Sequence, residues 1–233
     1  MTNTKDPEFQ KRRAQAQAKV QLLDKDVVHN NPKREQFFET VYDRAEGDAA
    51  AIPWADLDAK HKLAEWLSRK SDHKGRAIDV GCGLGDNAEA LVRAGYETTA
   101  FDFSPKAINW AKERFPDSSV SYHVADLFDL PERWIGSFDL VHECYTLQSI
   151  PPETLRKSMP AIANLLAPGG MLLVYTRIRP DGDEVDGPPW PLEESKTMSF
   201  DKYGLKLVSR ENFILERPDK TISHLFCIWQ KPE

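Results

Sequence analysis

The stretch Asp79-Val80-Gly81-Cys82-Gly83-Leu84-Gly85 constrains this chain more than any other. It lies between a short apolar run, AIDV at 77–80, and a helical pattern from Asn87 to Ala94. Glycines at alternate positions let a backbone turn sharply and approach a ligand where any Cβ would collide. Strand, glycine turn and helix in that order read as the first βα unit of a parallel sheet, with a ligand over its carboxyl edge.

The rest of the chain continues the alternation. Short apolar runs at 97–101, 120–125, 138–143 and 171–176 read as strands. Helical patterns at 106–114, opened by Pro105, and at 153–166 lie between them. The runs 206–215 and 221–230 are joined only by Glu216-Arg217-Pro218-Asp219, so they pair antiparallel. Ahead of the glycine turn come a polar helical stretch over 1–30, a break at Asn30-Asn31-Pro32, and amphipathic helices over 35–45 and 56–69. The expected fold is α/β: a seven-stranded, mostly parallel sheet with helices on both faces and a reversed last strand. Residues 1–55 form an N-terminal helical lid, and 56–233 the ligand-binding domain.

Composition narrows the function. Lys+Arg 31 against Asp+Glu 37 leaves a net charge of −6, which offers no general attraction to nucleic acid. The one basic cluster, Lys11-Arg12-Arg13, reads as a solvated helix face. Cys82, Cys144 and Cys227 have neither a disulfide framework nor zinc spacing, so no metal is expected. The N-terminus has no apolar signal core, and no run is long enough to span a bilayer, so the expected location is cytoplasmic with no membrane partner.

Carboxylates decide between ligands. Asp102 ends the second strand, 17 positions after Gly85, where it can accept both ribose hydroxyl protons of a nucleoside. Asp126 ends the third strand, at the level of an adenine edge. Asp79 before the glycines and Asp86 after them would repel a pyrophosphate but suit a ligand bearing a sulfonium and an ammonium.

With these pieces in place the sequence resembles the class I S-adenosylmethionine-dependent methyltransferases. The matching segments are IDVGCGLGDNA (78–88), TAFDFSPKAI (99–108), VADLFDLP (124–131), FDLVHECYTLQSIP (138–151) and LLAPGGMLLV (165–174). Within that family, 95–115 and the upstream Pro53-Trp54 look most like the small-molecule branch around thiopurine and tellurite methyltransferases. The resemblance implies a Rossmann-like sheet and S-adenosyl-L-methionine as cofactor. Gly81, Gly83 and Asp79, with Cys82 in the same turn, would hold the methionine end; Asp102 would bind the ribose, with Phe103 against the adenine. Asp126 would accept from the adenine amino group beside the Leu127 N–H. Glu143 takes the position facing the methyl group, where the family often has Asn or Asp.

Methyl transfer from a sulfonium is an in-line displacement, so the protein must align the acceptor, exclude water and, for a neutral acceptor, remove a proton. Glu143 and Tyr145 are the catalytic candidates; His142 reads as a buried strand residue and Cys144 as a small filler. Tyr42, Trp54, Tyr145, Arg177 and Trp190 are the expected substrate wall, with Arg179 beside them. The acceptor is expected to be a small molecule, with a thiol among the candidates. A protein or RNA methyltransferase, an NAD-dependent dehydrogenase and a non-catalytic cofactor-binding module are the competing readings. ECYTLQ at 143–148 lacks the Asn/Asp-Pro-Pro-aromatic pattern of amino-group enzymes acting on DNA or glutamine.

Overall fold

The computed structural model describes residues 6–30, 34–69, 74–185, 189–197, 199–217 and 220–233. Two helices, α1 (Pro7–Asn30) and α2 (Arg34–Ala45), precede the sheet region, and α3 (His61–Ser68) leads into it. Then follow β1 (Arg76–Val80), α4 (Asp86–Ala94), β2 (Glu97–Asp102), α5 (Pro105–Arg114), β3 (Ser121–Val124), β4 (Phe138–Cys144), α6 (Leu155–Asn164) and β5 (Leu166–Arg179). The chain closes with β6 (Leu192–Glu193), α7 (Glu194–Thr197), β7 (Lys206–Arg217) and β8 (Lys220–Gln230).

The strand order is β3-β2-β1-β4-β5-β8-β7, with the two-residue β6 beside β5. β1 pairs in parallel with β2 and β4, so strand order reverses at β1. In open α/β sheets ligands bind outside the carboxyl ends of the strands at such a switch point. β8 inserts between β5 and β7 and runs antiparallel to both. The expected mostly parallel sheet with a reversed last strand is therefore the observed one, with β6 as an addition.

Side chains alternate across each strand, and this sorts the core into two layers. Ile78, Val80, Val141, Leu172, Val174 and Trp229 pack with Met159 and Ile162 of α6. Ala77, Leu140, Leu173, Tyr175 and Ile228 pack with Leu63 and Leu67 of α3 and Leu91 of α4. Asp79 and His142 continue the second layer to the carboxyl edge. Phe37, Val41 and Tyr42 of α2 pack with Ile52, Leu84 and Ala107, so the N-terminal segment covers the glycine turn.

Several element boundaries differ from the sequence reading. The helix expected over 56–69 starts only at His61, because Leu57 has a positive φ of 57° and residues 56–60 are non-helical. The helix expected over 153–166 begins as a 3-10 turn at Pro152–Thr154 and is α-helical from Leu155 to Asn164. Leu166 instead pairs with Phe138, and the register then slips before Leu140 meets Met171. Gly169, with φ 77°, and Gly170 lie in that irregularity; a Cβ on Gly170 would come 2.8 Å from the Phe138 carbonyl oxygen. Asn31-Pro32, Gly187-Pro188 and Pro218-Asp219 lie outside the described residues. No described helix is long and apolar enough to cross a membrane.

Candidate active site

The turn after β1 is made by Gly81, Gly83 and Gly85 at φ 63°, 52° and 88°, the left-handed region that other residues enter only under strain. Space forbids side chains at Gly81 and Gly85 as well. A Cβ on Gly81 would collide with the Thr146 hydroxyl, and one on Gly85 with the Tyr122 hydroxyl. A Cβ on Gly83 would meet the Tyr42 hydroxyl at 3.4 Å. The turn is pinned by Cys82 N–H donating to the Phe101 carbonyl (2.9 Å) and by Arg114, which grips both Asp86 oxygens and donates to the Leu84 carbonyl.

Asp102 closes the other side. Its Oδ2 accepts from Gly83 N–H and its Oδ1 from Ser104 N–H, each at 3.0 Å. The carboxyl is buried, and burial pushes its pKa up to about 6 against the pull of those two donors. Each oxygen keeps a lone pair for a further donor. Phe103 follows, half-buried, with Phe38 of α2 edge-on at 5.7 Å. Tyr42 is buried, accepts from Trp54 Nε1 at 3.1 Å, and is held un-ionised by burial and by the negative charge of Asp102.

Asp79 is 1% exposed; its Oδ1 bonds His142 Nδ1 at 2.7 Å, while its Oδ2 has no hydrogen-bond partner. His142 Nε2 is likewise buried without a partner. A buried carboxylate oxygen left unpaired is costly unless a donor or cation comes to it.

After β4 the chain makes a tight turn through Tyr145, whose φ is 67°. Glu143 is fully buried; its Oε1 accepts from Leu147 N–H at 2.9 Å, its Oε2 is unpaired, and burial lifts its pKa to about 8. Its carboxyl thus holds the turn. Tyr145 is half-buried and reaches His224 of β8, hydroxyl to Nε2, at 2.8 Å. Lys60 Nζ and the Arg177 guanidinium lie 4.6 and 5.6 Å from its ring centroid. Tyr175 and Phe213 complete this cluster.

The residues named from sequence therefore fall into separate groups. Asp79, Gly81, Cys82, Gly83, Asp102 and Phe103 gather at the glycine turn, and Tyr42 and Trp54 cover that turn. Tyr145 and Arg177 belong to the second cluster. Trp190 is apart from both: its N–H donates to the Gln148 carbonyl at 2.7 Å, and it lies among Pro152, Leu155 and Leu192. Gln148 links the groups, since its Oε1 takes the Arg177 N–H at 2.7 Å. Asp126 is exposed and caps its own turn by accepting from Phe128 N–H; Leu127 is half-buried beside it. Arg179 pairs with Glu193. Sequence reasoning missed Lys60, Tyr175, Phe213 and His224, because their meeting depends on β8 pairing with β5 and on α3 crossing the sheet.

Residues 77–170 match a family model described as a methyltransferase domain. A "ubiquinone biosynthesis O-methyltransferase" of Xanthomonas oryzae pv. oryzae (strain PXO99A) is 34% identical over 139 residues, covering 55% of this chain and 57% of that protein. The chain thus spans little more than half the length of such relatives. Among solved structures, N-methyltransferase NodS from Bradyrhizobium japonicum WM9 in complex with S-adenosyl-l-homocysteine has a TM-score of 0.64 at 22% identity, covering 83% of this chain and 99% of that one. A structure described as "Conversion of a Disulfide Bond into a Thioacetal Group during Echinomycin Biosynthesis" has a TM-score of 0.69 at 19% identity, covering 85% and 93%. At these identities the two structures speak for the fold. S-adenosylmethionine fits the residues present: the unpaired Asp79 Oδ2 suits an ammonium, and Asp102 retains capacity for ribose hydroxyls.

Proposed function

Because residues 77–170 match a methyltransferase-domain model, we propose that this chain is a class I S-adenosylmethionine-dependent methyltransferase that transfers a methyl group from that cofactor to a small-molecule nucleophile. The observation that carries the reading is the pair of buried carboxylates flanking a glycine turn, one with an oxygen unpaired and one bonded to the turn itself. Such a pair fits a ligand cationic at one end and bearing a ribose diol at the other.

The cofactor supplies a methyl group on a sulfonium, and the protein supplies alignment and dryness. Asp79 anchors the amino end, oriented by His142. Asp102 takes the ribose hydroxyls, with Phe103, Leu127 and Asp126 on the adenine side. Residues 1–55 act as the lid: Tyr42 and Trp54 seal the turn, and Arg13 ties α1 to the Ala55 carbonyl. Glu143 sets the turn that presents Tyr145 toward the acceptor, while Arg177 and Lys60 add positive charge where an acceptor turns anionic. Trp190 shapes the outer rim through Gln148.

For the acceptor atom, the name of the Xanthomonas relative makes a hydroxyl the first to test and a thiol the second. The net charge of −6 supports a small molecule over RNA. The deciding experiment is incubation with cofactor and a metabolite extract, read by mass spectrometry. A product heavier by one CH₂ supports the proposal. Cofactor binding with no methylated product across phenol, thiol and amine panels would favour a binding module.

A further inference from the structure

His224 sits on the reversed strand β8, directly across from Arg177 in register, and is 1% exposed. Its Nδ1 lies 2.8 Å from the Ile222 carbonyl oxygen, which can only accept, so Nδ1 carries the ring proton. Its Nε2 is then bare and accepts the Tyr145 hydroxyl at 2.8 Å. The ring is stacked on Phe213 at 5.2 Å and 21°, which fixes this tautomer in orientation. Tyr145 is itself held by a left-handed backbone and by the hydrogen bond of Tyr145 N–H to the Tyr175 carbonyl.

Resting on the methyltransferase reading, we propose that Tyr145 and His224 form a proton relay that deprotonates a weakly acidic hydroxyl acceptor during methyl transfer. The acceptor O–H bond breaks and its proton passes to the Tyr145 oxygen, while Tyr145 passes its own proton to His224 Nε2. The acceptor oxygen forms its bond to the methyl carbon as the carbon–sulfur bond breaks, leaving a methyl ether, a neutral thioether and an imidazolium. Tyr145 touches the acceptor; His224 acts through it as a positioning residue and proton store. Burial holds the Tyr145 hydroxyl protonated, so it cannot serve as a base without handing its proton on.

The groups facing His224 agree with this direction. Tyr175 of β5 and Phe213 of β7 lie against its ring, and Arg177 is opposite in register. Lys60, before α3, and Arg177 flank Tyr145, and Lys60 is paired with Asp56. His61 of α3 is 3.5 Å from the Tyr175 hydroxyl and is kept neutral by burial and by Lys62. The two cations flanking Tyr145 stabilise the acceptor oxygen as it loses its proton.

The test uses the full chain, S-adenosylmethionine and two probe acceptors at mildly alkaline pH: 4-nitrophenol, which is ionised there, and 4-methylphenol, which is not. His224→Gln keeps an acceptor for Tyr145 but cannot store a proton. Its turnover of 4-methylphenol should fall by about 100-fold or more, with little loss on 4-nitrophenol. Equal losses on both probes, or none, would overturn the relay, and wild-type protein that binds cofactor but methylates neither phenol would overturn the hydroxyl acceptor. Absence of cofactor binding by calorimetry would instead remove the methyltransferase reading. Nitrogen NMR of the His224 imidazole judges the relay without turnover: the proton should be on Nδ1, and Tyr145→Phe should shift the Nε2 signal. A proton found on Nε2 refutes it.

Discussion

Replacing Glu143 by glutamine should make the protein's stability far less dependent on pH. Glu143 is fully buried, one oxygen accepts from Leu147 N–H and the other has no partner. Burial raises its pKa from an ordinary 4.5 to about 8. A group raised on folding contributes stability that is complete below its unfolded value and is lost as pH climbs through its folded value. The gap corresponds to ~5 kcal/mol at 1.36 kcal/mol per pH unit, spread between about 4.5 and 8. Glutamine keeps the acceptor for Leu147 and never ionises. Urea unfolding followed across this range should show wild type losing stability toward alkaline pH, while Glu143→Gln stays nearly level except for the smaller Asp102 contribution below about 6. The variant should be the more stable protein above pH ~8. Parallel curves for the two proteins would refute the assignment of a neutral, buried Glu143.

Other perturbations address the cofactor site. Asp102→Asn should weaken S-adenosylmethionine binding by ~1.5–3 kcal/mol, the range for hydrogen bonds to a charged group, as read by calorimetry. Since Asp102 titrates near 6 by virtue of burial, cofactor affinity of the wild type should fall as pH drops through that value and Asp102 becomes neutral. Gly81→Ala forces a Cβ against Thr146 at φ 63°, so it should abolish detectable cofactor binding, with a stability loss of a few kcal/mol in thermal unfolding. His142→Phe removes the bond to Asp79 and leaves that carboxylate unpaired on both oxygens; stability should drop by ~1–3 kcal/mol in urea titration.

Much of the fold was legible because it is written locally. The glycine turn, the Pro105 helix start and the alternating apolar runs each carry their own signal, and they order the sheet through β5. Leu57 and Leu166 resisted: one adopts a left-handed backbone inside an apparently helical pattern, and the other joins a strand only because it meets Phe138. The same division runs through the site. Asp79 and Asp102 are close to the glycines in sequence or in strand order, so their convergence could be anticipated. Tyr145 and His224 are separated by 79 positions and meet only because β8 threads between β5 and β7. Glu143 attracted attention as an acid beside the reacting group, yet a carboxylate that already caps Leu147 cannot be distinguished from a free one by residue type alone.

A crystal of this protein soaked with S-adenosylhomocysteine would test the central claim most directly. Density should place the ribose hydroxyls on Asp102 and the amino group toward the unpaired oxygen of Asp79, over the turn from Gly81 to Gly85. A nucleoside found elsewhere on the sheet, or a ribose with no contact to Asp102, would contradict the account.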